Sequence, residues 1–219
     1  MSENSPVVTS FTENLKQYNV KVLIDYSSST AWPLDRNNER GQTRHHAMAE
    51  ATIGVVNDVL PHDPDGVDIY AFNGNGVTSR LNVTSVEDAT AFLTNSVKVG
   101  GGTPLYEALA AAFHDTNELP SERPALYIVL FDGRPDWNTE GKIERLITTR
   151  ANNQVAKSKE LIVFIQFGDD HEAAKWLKSL DTGLKDAVED IVFTVSHEDY
   201  GKFHSFQAMI AAGMIDNRN

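Results

Sequence analysis

Short apolar runs, rich in β-branched and aromatic residues, recur at 20–24, 67–72, 126–131, 161–167 and 191–195, and most are apolar at successive positions. Such a strand must be covered on both faces. Between the runs lie stretches of helical periodicity at 42–60, 86–94, 104–116, 142–157, 173–180 and 203–214. Strand alternating with helix predicts an α/β fold, a mostly parallel sheet with helices on both faces. The stretch 77–83 alternates more and reads as a shorter edge strand. Turn residues at 61–66 close the first helix, and Ser85 with Asp88 three residues on has the form of a capping box before the second.

At 219 residues the chain suits one large domain, expected at 18–219, with 1–17 as an N-terminal segment expected to be mobile. Cys is absent, which removes disulfides, thiolate metal sites and Cys nucleophiles. Nineteen Lys plus Arg against 31 Asp plus Glu gives a net charge of -12, a field that repels phosphate backbones and anionic membranes. Neither nucleic acid nor membrane is therefore an expected partner. No apolar stretch reaches the roughly 18 residues of a spanning helix, and 1–18 lacks the features of a secretion signal, so a cytoplasmic location is expected.

In open sheets of this kind ligands bind beyond the carboxyl ends of the strands. After the first strand comes Asp25-Tyr26-Ser27-Ser28-Ser29, whose spacing sends Asp25, Ser27 and Ser29 the same way. One carboxylate and two hydroxyls suit a hard cation such as Mg²⁺ or Mn²⁺. The same residues also suit a turn in which Asp and Ser bond their own backbone. A second loop, Gly100-Gly101-Gly102-Thr103-Pro104, opens a helix, and Thr103 is equally well placed as its cap. It lacks the Gly-Lys-Ser/Thr ending of a phosphate loop. The third, Asp132-Gly133-Arg134-Pro135-Asp136, follows a strand expected at the sheet centre beside the one ending in Asp25.

Asp25-x-Ser27-x-Ser29, a distant Gly-Gly-Thr103-Pro and an apolar strand ending in Asp132-Gly closely resemble the von Willebrand factor A-type (vWA) domain with its metal-ion-dependent adhesion site (MIDAS), in its small stand-alone prokaryotic form. The resemblance runs from Val20 to about Met214. It implies a Rossmann-like, doubly wound six-stranded sheet with one short antiparallel edge strand. It also implies a Mg²⁺ ion, or Mn²⁺ or Ca²⁺, bound directly by Ser27 and Ser29, directly or through water by Thr103, and often through waters by Asp25 and Asp132. A partner protein then supplies an Asp or Glu to the open position. Ser28 stands where many relatives have Gly, and Tyr26, Thr30 and Trp32 make the rim bulkier. From loop position, Tyr26, Trp32, Arg134, Asp136 and Trp137 are the expected rim contacts. In some relatives the last helix, here 203–214, shifts on ligand uptake.

Other chemistries fit less well. Adjacent His45 and His46 point about 100° apart on a helix and read as solvated surface. No Gly-x-Ser-x-Gly elbow marks a serine hydrolase. A haloacid-dehalogenase-like phosphotransferase, with Asp25 as nucleophile and Asp169-Asp170 as the late acidic pair, is the enzyme alternative. That chemistry wants a second carboxylate at the position of Ser27. The expectation is therefore a non-enzymatic, divalent-metal-dependent protein-interaction domain.

Overall fold

The computed structural model describes residues 17–35, 37, 40–63, 65–118, 123–153, 160–196 and 208. Its strands are β1 (Asn19–Asp25), β2 (Val67–Asn73), β3 (Gly76–Val83), β4 (Ala125–Phe131), β5 (Leu161–Gln166) and β6 (Val192–Ser196). Its helices are α1 (Arg44–Val59), α2 (Val86–Asn95), α3 (Leu105–Glu118), α4 (Glu140–Asn152) and α5 (His171–Thr182), with a short 3-10 turn at Ser28–Ala31. The strands form one sheet in the order β3-β2-β1-β4-β5-β6, parallel throughout except for the β2–β3 pair. The doubly wound sheet with one antiparallel edge strand is therefore present. The expected N-terminal segment, apart from Gln17, and the expected last helix, apart from Ala208, lie outside the described residues.

Alternate side chains of each central strand enter opposite cores, as the period of two requires. Val20, Val22 and Ile24 of β1 and Leu126, Ile128 and Leu130 of β4 pack against α1 and α2. Leu23, Tyr127, Val129 and Phe131 pack against α3, α4 and α5. Every residue of β2, β4 and β5 is buried, which is why these strands read as continuous apolar runs. Each Leu, Ile or Phe so buried contributes about 1.5–3 kcal/mol over its exposed state. The capping expectation at α2 holds, with the Ser85 hydroxyl accepting from Asp88 N at 3.1 Å.

The consequence for function lies at the sheet centre. β1 and β4 are parallel neighbours, with Ile24 opposite Leu130, and the chain winds outward from them in both directions. That arrangement leaves a crevice beyond their carboxyl ends. Asp25 closes β1 there, and Asp132 follows β4.

Candidate metal centre

Asp25 is fully buried at the end of β1. Its Oδ1 accepts from Ser27 N at 2.7 Å, while Oδ2 has no hydrogen-bond partner. Burial, and then the charge of Asp132, push its carboxyl up to about 7, against the counter-effect of the bonds from Ser27. The loop beyond is held by its own backbone. Thr30 donates to the Ser27 carbonyl through both N (3.1 Å) and Oγ1 (2.8 Å). Ser27 Oγ and Ser29 Oγ then lie 3.1 Å apart, and Ser29 Oγ donates to Asp132 Oδ1 at 2.9 Å. The first and third loops therefore meet through side chains.

The second loop is tied to the first through backbone. Gly100 N donates to the Tyr26 carbonyl at 2.8 Å, and Ser28 N donates to the Gly101 carbonyl at 3.0 Å. Gly101, at φ +75°, approaches Gly74 so closely that a Cβ on it would lie 2.5 Å from Gly74 Cα. Thr103 is held by its backbone: its N donates to Asp136 Oδ1 at 2.7 Å, and its carbonyl accepts from Asp136 N and Leu105 N. Asp136, expected on the rim, is thus a brace that joins the third loop to the second.

The structure adds a residue that sequence reasoning missed. Arg44, the first residue of α1, is 3% exposed and donates from Nη1 to Asp132 Oδ2 at 3.0 Å and from Nη2 to Asp169 Oδ1 at 3.4 Å. Gly168, at φ +108°, lets the chain pass the guanidinium, since a Cβ there would lie 2.8 Å from Arg44 Cζ. The signal was present: Arg44 heads the buried stripe of α1 that continues through Ala47, Met48, Thr52, Val55, Val56 and Val59. A charged residue on an inward face demands an opposite charge.

Rim residues divide. Trp32 (58% exposed) and Trp137 (87%) stand in solvent. Trp137, Arg134 and Asp136 line an open depression of about 720 Å³, in which Arg134 pairs with Glu140. Tyr26, expected on the rim, is not there. Its side chain is buried and its hydroxyl donates to the Leu93 carbonyl at 2.9 Å, so it faces the helical layer and offers a partner nothing. The alternation that turns Asp25 and Ser27 toward the crevice turns the intervening residue away from it. His46 is exposed as expected, but His45 is half-buried, stacked on His46 and tilted against Tyr26. Asp170 is taken up in capping α5, accepting from Glu172 N and Ala173 N.

The donor set fits a hard divalent cation. It offers carboxylate and hydroxyl oxygens, it contains a buried carboxylate oxygen with no partner, and its two carboxylates repel one another. Among the described residues no group of three or more His, Asp or Glu is gathered to hold a metal, so any ion here relies on hydroxyls as well.

Among solved structures, the VWA domain of SpRpn10 superposes with a TM-score of 0.61, at 15% identity over 82% of this chain and 87% of its own. The chain has a von Willebrand factor A fold. The manganese-loaded TRAP protein of Plasmodium vivax shares this vWA fold with a TM-score of 0.56, at 14% identity over 85% of this chain and 71% of its own. So does proximal thread matrix protein 1 of the mussel byssus, solved with a zinc-occupied MIDAS motif, at a TM-score of 0.50 and 12% identity over 90% of this chain and 46% of its own. No family model matches the chain, and no curated protein matches it in sequence. Among the described residues of this vWA fold, no helix is long and apolar enough to cross a membrane.

Proposed function

We propose that the chain is a divalent-cation-dependent protein-interaction domain without catalytic activity of its own, in which Asp25, Ser27, Ser29, Thr103 and Asp132 hold a Mg²⁺-class ion. When bound, the ion supplies an electrophilic position that accepts an Asp or Glu carboxylate from a partner protein. The observation that carries this reading is the buried, unpartnered Asp25 Oδ2, set beside a second buried carboxylate and two linked serine hydroxyls. Arg44 neutralises only the second of these carboxylates, so Asp25 stays buried without a counter-charge, which a bound cation would supply. Metal-bearing vWA structures among the neighbours lend the reading support. Trp32 and Trp137 are the exposed rim groups that would meet the partner, and the chain's negative charge favours a lone acidic ligand within a neutral or basic patch. The haloacid-dehalogenase-like alternative is disfavoured because Ser27 replaces its second carboxylate and Asp170 serves as a helix cap.

The test is a Mn²⁺ and Mg²⁺ titration of the wild type, Asp25→Ala and Thr103→Ala, with circular dichroism confirming the fold of each. Saturable binding is expected in the wild type, weakened in Thr103→Ala and lost in Asp25→Ala, together with metal-dependent capture of a partner. Equal binding in all three proteins rejects the site.

A further inference from the structure

Arg44 is an unusual occupant of its position. A cation in the first turn of a helix opposes the helix dipole, and a buried guanidinium is costly unless fully paired. Its Nε has no acceptor, so even with the bonds from Nη1 and Nη2 the guanidinium is only partly satisfied. The exposed Trp32 ring lies over the guanidinium at 5.7 Å. Of its two carboxylate partners, Asp132 is buried at 3.0 Å, while the Asp169 side chain is half-exposed at 3.4 Å and screened by solvent. Its charge therefore acts chiefly on Asp132.

Resting on the reading above, we propose that Arg44 is a resident cation of the centre: it neutralises Asp132, weakens the grip on the divalent ion, and leaves the loaded centre positive enough to select an anionic ligand. The argument is one of charge and geometry. Asp25 and Asp132 together would cancel a divalent ion, and the guanidinium on Asp132 leaves one elementary charge over. Nη1 also occupies Asp132 Oδ2, so only Oδ1, already touched by Ser29, faces the serine loop. The charge of Arg44 makes the ion easier to lose and its open position more avid for a carboxylate.

Two substitutions separate charge from hydrogen bonding. Arg44→Gln keeps a donor for Asp132 and removes the charge; Arg44→Lys keeps the charge and removes the fork. The readouts are Mn²⁺ affinity and the melting temperature of the metal-free protein. Arg44→Gln is expected to bind Mn²⁺ at least tenfold more tightly, although its metal-free form melts lower. Arg44→Lys is expected to stay within about threefold of the wild type. A residue that merely props the loops would lower the melting temperature in both variants and tighten binding in neither. Wild-type binding with an unchanged or weaker Arg44→Gln overturns the proposal alone; no binding in either protein overturns it together with the metal reading. Should Arg44→Gln not fold, a tenfold change in Arg44→Lys overturns the proposal.

Discussion

Asp25 carries the sharpest residue-scale consequence. The folded protein holds its proton up to about 7, whereas an ordinary aspartate releases it near 3.8. Between those values this carboxyl binds more protons in the native state than in the unfolded chain, so the Asp25 contribution to metal-free stability is fully present below about pH 4 and is lost as pH rises through about 7. The loss is on the order of a few kcal/mol. Denaturant unfolding in chelator at pH 5 and pH 7.5 should record it, and Asp25→Asn should flatten the difference; an equal slope in the variant would assign the pH effect elsewhere. Spacing within a short segment made the gathering of Asp25, Ser27 and Ser29 legible in sequence, because a strand end running straight into the tight turn at Ser28–Ala31 is local structure. Tyr26, expected on the rim, instead turns its buried ring away from the crevice to bond the Leu93 carbonyl. Of Arg44 only half was legible: its inward-facing charge can be read from the helix stripe, but its partner Asp132 lies 88 residues away and nothing near Arg44 encodes that pairing.

Elements were legible because hydrophobic period is strong in chains that bury both faces of a sheet. Every described strand and helix coincides with an expected one, and the differences are at ends, where fraying and capping decide. The expected helix at 42–60 begins at Arg44 because Gln42 and Thr43 are drawn into extended pairing, Gln42 O with Leu34 N and Thr43 opposite Pro33. The packing of one loop on another was not legible, since the glycines at 74 and 101 declare freedom without declaring what they approach. Gly101→Ala should cost more than about 2 kcal/mol, because the new Cβ meets backbone at a left-handed residue. Gly100→Ala, with nothing within 4 Å of its added carbon, should stay within about 0.5 kcal/mol of the wild type. Thermal melts of the pair check the contrast; equal losses would mean that the Gly74–Gly101 contact relaxes freely.

For the whole molecule, a ligand that binds only the folded state raises its melting point by mass action. Mn²⁺ at a hundredfold excess over its Kd should add about 2.7 kcal/mol. For a chain of this size that is roughly 5–11 °C, reversed by chelator and absent in Asp25→Ala. A rise that persists in the variant would instead reflect diffuse attraction of cations to a chain of net charge -12. The pairing of β1 with β4 has another consequence, for the order of events in synthesis. Ser29 and Asp132 bond across 103 residues of sequence, and Thr103 comes between them in the chain. A nascent chain that has emerged only as far as β3 can offer an ion nothing but the Asp25–Ser29 loop, and β4 must still insert beside β1 before Asp132 arrives. Ion capture at this centre would therefore follow folding rather than guide it, so that a loaded molecule is one whose translation and sheet assembly have passed its middle strand.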